Sequence, residues 1–323
     1  MLIESITILA GIVVIIALAQ SIIKNSIDLA KHFGLSGTFI GLTILSIGTS
    51  IPEIMTNVIG SVHILKYPET INTFSGLLIG TNIGSDIFQQ NFVLPLVGII
   101  GTIIVIKKNL FIEVGGLIGA ALLTWIFSLG GLISRFEGLI LLITYSAYLI
   151  HLHRTKISET FNGKDGMTRK EIVLAITFIV AGFTIMAFVA NLVLDASTVL
   201  VGMLPISASF FGIVLLGVAS ALPELTTSLI AVFKGKKDIS AGILIGSNIT
   251  NPLLGIGLGA LISTYTVPNV TVFFDLPVKI VTAGLLYYFL MRRRDLSKVE
   301  AIFLMVIFFV YLGIRFVYFP IDF

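Results

Sequence analysis

Cysteine is missing from the 323 residues of this chain, and charged side chains are scarce. Without cysteine the chain can form neither disulfides nor thiolate metal sites. Charged residues make up 11% of the chain, whereas a soluble domain carries about 25%. The sequence also has no phosphate-binding loop, nucleophile elbow or zinc-spaced histidine pair, so it gives no support for an enzyme or for a bound cofactor.

Long apolar runs dominate the chain, which is 56% hydrophobic with a mean hydropathy of +1.08. Ten runs are each long enough to cross a bilayer as a helix of about 20 residues. They lack the two-residue alternation of barrel strands, and the first is too long for a signal peptide. We predict an all-α polytopic membrane protein with ten transmembrane helices, at 4–30, 37–64, 73–104, 110–130, 132–152, 171–195, 206–233, 239–265, 274–291 and 298–318.

The basic residues predict how these spans are oriented. With the amino terminus outside, nearly all of the 20 Lys and Arg residues lie in cytoplasmic loops or flanks. The exceptions are Lys66, Arg135, Lys279 and Arg315. We therefore predict a cell-membrane protein with its amino terminus outside. The net charge of +3 comes mostly from these loops and does not indicate binding to nucleic acid. We expect the protein to function as a monomer within the lipid bilayer.

A polar linker divides the predicted spans into two sets of five. Residues 1–155 form the first repeat, 156–170 a cytoplasmic linker and 171–323 the second repeat. Because five is an odd number, the second repeat must insert upside down relative to the first. Inverted repeats of this kind are common in secondary transporters.

Matching motifs identify the repeat, with signatures at 41–91 and 212–259. In the first half, Ser46-Ile-Gly-Thr-Ser-Ile-Pro-Glu53 is followed by Gly80-Thr-Asn-Ile83. In the second half, Gly217-Val-Ala-Ser-Ala-Leu-Pro-Glu224 is followed by Gly246-Ser-Asn-Ile249.

Three acids, Glu53, Asp86 and Glu224, fall near span centres, where a carboxylate costs about 2.5 kcal/mol or more. No Lys or Arg is predicted at the same depth, since Lys279 is expected to pair with Asp275 or to extend outward. The three acids must then be protonated or neutralised by ions that come and go. A lone buried Glu could be a structural group, but two at equivalent repeat positions favour a functional site.

Each motif also offers oxygen ligands beside its carboxylate. Pro52 and Pro223 remove a backbone donor and free a carbonyl one turn earlier, and the hydroxyls of Thr49, Ser50 and Ser220 lie close by in sequence. Such hard oxygens suit Na⁺ and Ca²⁺. A simple kink would explain the prolines alone but would leave the repeated Pro-Glu unexplained.

The second elements place polar side chains on one helix face, at a spacing of four residues. These side chains are Thr81, Ser85, Ser247 and Asn251. Close helix packing through small residues explains the hydroxyls and the glycines equally well. The glycines are Gly76, Gly80, Gly242 and Gly246. Asn82 and Asn248 either bind ions or cap and cross-link helices.

These motifs resemble those of the calcium/cation antiporter superfamily, which includes the Na⁺/Ca²⁺ exchangers, and the resemblance covers essentially the whole chain. It implies an exchanger-like fold with four mid-membrane ion sites around Glu53 and Glu224. The implied hydroxyl ligands are Thr49, Ser50, Ser220, Thr81 and Ser247, and the implied carbonyl ligands are Ser46 and Gly217. Ser85 and Asn251 stand where family members place Asn or Asp.

Three departures from the family pattern affect the implied site. Ala221 occupies a usual Ser position, Ala219-Ser220 replaces Gly-Thr, and Ser85 replaces Asn with Asp86 next to it. Asp86 points about 100° away from Ser85 on an ideal helix. It is therefore an accessory candidate, together with Asn82 and Asn248.

The function implied is exchange of Ca²⁺ for Na⁺ by alternating access, with spans one and six sliding against the other eight. Two carboxylates could equally exchange two protons, so a Ca²⁺/H⁺ exchanger is the alternative. A cation channel would need a continuous polar pore. The polar residues are instead concentrated at one depth, which argues against a channel.

Overall fold

The computed structural model describes residues 1–32, 45–101, 107–156, 166–233, 237–293 and 295–322, and most of them are helical. The first half contains α1 (Leu2–His32), α2 (Ser46–Thr49), α3 (Ile51–Lys66), α4 (Ile71–Phe88), α5 (Leu94–Gly101), α6 (Lys107–Ser128) and α7 (Arg135–Lys156). The second half contains α8 (Arg169–Met203), α9 (Ala208–Phe211), α10 (Val218–Ser220), α11 (Leu222–Phe233), α12 (Lys237–Thr250), α13 (Gly257–Ile262), α14 (Leu276–Arg293) and α15 (Lys298–Tyr318).

Short π-helical turns join several of these helices into longer membrane-length runs. They lie at Gln89–Val93, Gly212–Gly217, Asn251–Ile256 and Thr271–Asp275, and a 3₁₀ turn covers Pro68–Thr70. Turns of this kind often mark functional sites within helices.

Seven helical runs among the described residues are long and apolar enough to cross a membrane, and Val114–Ser128 is a shorter apolar helix. The ten predicted spans lie largely on described helix, and their residues 37–44 and 102–104 lie outside the described residues. Helix α8 continues to Met203, eight residues past the predicted end, because 196–203 is apolar apart from Ser197 and Thr198. The ten-span inverted arrangement stays a prediction.

One small element is added to the predicted helical fold. Two short strands, β1 (Leu132–Ile133) and β2 (Tyr265–Thr266), form an antiparallel pair in which Leu132 lies opposite Thr266. The pair joins the loop after α6 to the loop after α13, so it ties the two halves together at one end.

Helices α1 and α8 form a unit of their own. They pack along each other through a hydrophobic cluster that includes Ile8, Ile15, Met186 and Val193 and extends to Ile51, Leu77 and Phe211 of the other helices. Much of their surface is exposed: Leu9 is 62% exposed and Phe188 is 67% exposed. Such apolar surfaces suit contact with lipid chains.

The two halves cross each other in direct backbone contact. A Cβ on Gly80 would lie 2.5 Å from the Ser209 carbonyl, and one on Gly84 would lie 2.5 Å from Ile213 backbone atoms. The same crossing brings Gly212 against the Leu77 carbonyl, at 2.6 Å from its hypothetical Cβ. Close packing therefore accounts for Gly80. Helix α12 of the second half packs in turn on α2 of the first half, which is the reciprocal contact an inverted repeat predicts.

Candidate cation site

Both Pro-Glu motifs begin a helix directly after a break. The break residues, Ser50 and Ala221, have nearly the same conformation, with φ −81° and ψ 3° and with φ −80° and ψ 0°. Pro52 then lies in the first turn of α3, where a missing backbone donor costs nothing. The glutamate that follows occupies the same turn, where the partial positive charge of a helix amino terminus stabilises a carboxylate. In each motif the helical conformation is thus interrupted at one residue.

Glu53 is completely buried and has one firm partner. The Ser85 hydroxyl donates a hydrogen bond to its Oε1 at 2.8 Å, and the Ser220 hydroxyl of the other half lies beside the carboxylate. Its Oε2 accepts no hydrogen bond from any described residue. Half of this carboxylate is therefore open to a ligand.

Glu224 is also completely buried, and it is less satisfied than Glu53. The Thr49 hydroxyl of the first half lies near it, yet neither Glu224 oxygen accepts a hydrogen bond of normal geometry from the described residues. The Ser50 hydroxyl is likewise buried without a described partner. The two glutamates are close enough to repel each other when both are ionised. Each glutamate thus faces a hydroxyl from the opposite half.

The carbonyls of Ser46 and Gly217 are both engaged within their own turns. The Ser46 carbonyl accepts from the Ser50 amide at 3.2 Å and from the Thr49 hydroxyl at 3.3 Å. The Gly217 carbonyl accepts from the Ala221 amide at 3.2 Å and from the Ser220 hydroxyl at 3.1 Å. A cation bound by these carbonyls would compete with the two hydroxyls.

Gln89 connects the second elements of the two halves, and the sequence analysis missed it. Its Nε2 donates to the Ser85 hydroxyl at 2.9 Å, while its Oε1 accepts from the Ser247 hydroxyl in a short hydrogen bond. The chain Ser247–Gln89–Ser85–Glu53 therefore crosses the site from one half to the other. The polar run Gln89-Gln90-Asn91 inside an apolar span was the signal that could have revealed it.

The remaining candidates of the second elements bond mainly within their own helices. Thr81 donates to the Leu77 carbonyl at 2.7 Å. Asn82 and Asn248 each donate to the carbonyl four residues earlier at 2.9 Å, as expected for residues that support the helix. The side-chain oxygens of both asparagines are buried with no described partner, so they stay available to a cation.

Asp86 has a permanent cation, contrary to the prediction that no Lys or Arg lies at its depth. Lys279 is 1% exposed and forms an ion pair with Asp86, which also accepts a hydrogen bond from the Asn251 amide at 2.8 Å. The expected pairing of Lys279 with Asp275 is wrong as well. Arg315 pairs with Asp275 at 3.3 Å, and this buried partner leaves Lys279 for Asp86.

No described Lys or Arg forms an ion pair with Glu53 or Glu224. In the described part of the chain, no group of three or more His, Asp or Glu side chains has the arrangement of a metal centre. A cation would therefore be held by two carboxylates together with hydroxyl and amide oxygens. That donor set is typical of hard cations such as Na⁺ and Ca²⁺.

A cavity lies between the site and the α1–α8 unit. Pro52, Thr81 and Ser220 line it on the side of the site, and Ile12 and Val193 line it on the other side. The polar wall belongs to both halves, whereas the apolar wall belongs to the two exposed helices. Any movement of these two helices would change access to the site.

Comparisons with known proteins agree with this architecture. A model described as sodium/calcium exchanger protein matches residues 4–153 and 174–317. Inner membrane protein YrbG of Escherichia coli is 28% identical over 272 residues, 81% of each chain. Sodium/calcium exchanger MaX1 of Methanosarcina acetivorans is 25% identical over 359 residues, 95% of this chain and 97% of its own. The structure of the sodium-calcium exchanger NCX_Mj, soaked with 10 mM Na⁺ and zero Ca²⁺, matches with a TM-score of 0.66 and 26% identity, covering 97% of this chain and 99% of that one.

Proposed function

Because the chain belongs to the sodium/calcium exchanger family of the calcium/cation antiporter superfamily, we propose that it exchanges Ca²⁺ for Na⁺ as a secondary active antiporter. The matching family model and the NCX_Mj structure are those of sodium/calcium exchangers, so the predictions of a membrane protein that is not an enzyme are confirmed. The observation that carries the proposal is the pair Glu53 and Glu224. Both are completely buried, and no described basic residue is paired with either.

The charge of this pair suits the proposed ions. A buried carboxylate without a partner is strongly destabilising, so both glutamates will take up cations or protons. Two ionised carboxylates neutralise one Ca²⁺ or two Na⁺. Ca²⁺ takes six to eight oxygens, which Glu53, Glu224 and the nearby hydroxyls can share. Since Na⁺ would use the same oxygens, occupancy by one ion excludes the other, and that competition is the basis of exchange.

Purified protein in liposomes tests this proposal directly. Uptake of ⁴⁵Ca²⁺ is measured under an outward Na⁺ gradient and, separately, under an outward proton gradient. We expect the Na⁺ gradient to drive uptake and the proton gradient to drive little. Uptake that follows only the proton gradient would overturn Na⁺ as the counter-ion, and no gradient-driven uptake at all would overturn antiport.

One observation favours the second candidate, a Ca²⁺/H⁺ exchanger. Ala221 offers no hydroxyl at the position equivalent to Ser50, and it lies three residues before Glu224. The second half therefore has one oxygen ligand fewer for Na⁺. A proton needs only the carboxylate, and both oxygens of Glu224 lack a described hydrogen-bond donor. The proton-gradient experiment decides between the two ions.

We also propose that the α1–α8 unit slides against the other helices to alternate access. The long contact between α1 and α8 and the cavity between them and the site support this movement. The absence of cysteine allows a clean test. A bifunctional thiol reagent that links His63→Cys on α3 to Asp195→Cys on α8, whose native side chains lie 4.0 Å apart, should stop ⁴⁵Ca²⁺ uptake.

The matched control links α1 to α8 within the proposed moving unit. A Cβ on Gly11 would lie 3.9 Å from the Val193 Cβ, which fits a disulfide. Oxidised Gly11→Cys/Val193→Cys should retain uptake. Inhibition by both cross-links, or by neither, would contradict sliding of α1 and α8 as one unit.

A further inference from the structure

A third buried carboxylate next to the open pair already has its cation. Asp86 and Lys279 are each 1% exposed and form an ion pair between α4 and α14. The backbone of Lys279 is held in place by Gln90, whose Nε2 donates to the Lys279 carbonyl at 3.1 Å and to the Thr282 hydroxyl at 2.6 Å. The ammonium is thus positioned by a polar network that reaches the first half of the chain.

Asn251 connects this ion pair to the candidate cation site. Its Nδ2 donates to Asp86 Oδ1 at 2.8 Å, and its buried Oδ1 has no described partner. An asparagine amide donates only through nitrogen and accepts only through oxygen. The bond to Asp86 therefore fixes the orientation of the amide and leaves its oxygen free. Asp86 also lies within electrostatic range of Glu53 and Glu224.

We propose that Lys279 is a resident cation of this site. Its ammonium neutralises the third carboxylate, so the number of mobile cations is set by Glu53 and Glu224 alone. Through Asp86 it also keeps the Asn251 oxygen available as a ligand. This inference rests on the proposed exchange of cations at the same site.

The charges around Lys279 support a role in setting the number of mobile cations that the site binds. Asp275, the acid nearest to Lys279 along the chain, is neutralised by Arg315 and accepts a hydrogen bond from Tyr311 at 2.9 Å. Asp86 is thus the carboxylate left for Lys279 among the described residues. If the ammonium were removed, Asp86 would be an uncompensated buried charge, and it would require one further monovalent cation or proton.

The number of mobile cations can be measured by equilibrium binding of ⁴⁵Ca²⁺ to the purified protein. Na⁺ is used as the competitor, and the measurement is repeated over a range of pH. For Lys279→Met we expect the Hill coefficient of Na⁺ competition to rise by about one, or Ca²⁺ binding to become coupled to about one more proton. For Asp86→Asn, which leaves the ammonium unpaired, we expect the coefficient to fall and Ca²⁺ binding to weaken.

The matched control is the double variant Asp86→Asn/Lys279→Met, in which the pair becomes neutral and of similar volume. Replacements of this kind are often well tolerated, so it should fold and regain the wild-type ion count. A purely structural ion pair would change thermal stability in the single variants but leave the Hill coefficient and the pH profile unchanged. That result, or an altered count that persists in the double variant, would overturn the inference.

Failure of the proposed function gives a different result. Wild-type protein that binds Ca²⁺ in competition with Na⁺ but shows no gradient-driven uptake would reject antiport, while the ion count of the variants still decides the role of Lys279. Wild-type protein that binds no Ca²⁺ would overturn both.

Discussion

The two halves of the site hold equivalent glutamates in different surroundings. Glu53 accepts a hydrogen bond from Ser85, which is connected through Gln89 to the opposite half. Glu224 has no such donor among the described residues, and at the position equivalent to Gln89 the second half has Gly255. The first half thus supplies a fixed polar network, whereas the second half leaves its carboxylate open.

The two repeats thus share a carboxylate at the same position but differ in the hydrogen bonds that surround it. One carboxylate per half is enough to neutralise a divalent ion. The hydrogen bonds around each carboxylate then decide how much a bound cation improves its environment. Since Glu224 has more unsatisfied oxygens than Glu53, a cation gains more by binding near Glu224. We expect the second half to contribute more to ion affinity and the first half to contribute more to rigidity.

The largest expected effect comes from removing either charge. Glu53→Gln and Glu224→Gln should each weaken Ca²⁺ binding about a hundredfold or more. The reason is that removing one charged partner from a buried ionic interaction costs about 3–5 kcal/mol. The measurement is ⁴⁵Ca²⁺ binding and uptake, with Glu69→Gln as a control since Glu69 is exposed. If our comparison holds, Glu224→Gln is the more damaging change. Full activity in either variant would reject the site.

The second prediction concerns the crossing of the two halves. Gly84→Ala places a methyl group 2.5 Å from Ile213 backbone atoms and should lower the free energy of unfolding by about 1–3 kcal/mol. Gly119→Ala is the control, since no atom of a described residue lies within 4 Å of its Cβ position. Thermal unfolding in detergent measures both. Equal stability of the two variants would show that α4 and the segment 208–217 are less tightly packed than described.

The sequence predicts the structural features that occur in both repeats, but it does not predict contacts that occur only once. The paired glutamates, the disturbed helical turns before Pro52 and Pro223 and the packing role of Gly80 follow from local composition and from the duplication. The Asp86–Lys279 pair joins residues 193 positions apart, and it depends on how α14 packs against α4. No periodicity in one sequence specifies that depth or that face, so Lys279 was assigned to its neighbour Asp275.

The short strand pair was missed for a similar reason. Strands β1 and β2 contain two residues each, too few to show a two-residue alternation. Their pairing becomes favourable only after the helices have brought the two loops together. Gln89 lies outside both repeated motifs, and its only sequence signal is that a buried amide in an apolar span is costly without partners.

The third prediction tests the link between the halves. Gln89→Met removes the amide that joins Ser85 to Ser247 while nearly preserving side-chain volume. Losing these two hydrogen bonds should weaken Ca²⁺ binding about thirtyfold, at roughly 1 kcal/mol per bond. Thr124→Val is the control, because it also removes a buried hydrogen bond, but one that lies within α6. Similar affinities for both variants would argue against a special role for the link.

The smallest expected effect comes from making the second half resemble the first. Ala221→Ser restores a hydroxyl at the position equivalent to Ser50, beside the open carboxylate of Glu224. One added oxygen ligand should raise the apparent Na⁺ affinity about fivefold, since such a contact is worth roughly 1 kcal/mol. Ca²⁺ affinity should change less because the carboxylates provide most of its binding.

The Na⁺ concentration that half-saturates ⁴⁵Ca²⁺ exchange measures the difference, and Ser50→Ala should shift it the opposite way. If Ala221→Ser leaves Na⁺ affinity unchanged while Ser50→Ala lowers it, the oxygens of the first half alone hold Na⁺, and Glu224 serves Ca²⁺ or a proton.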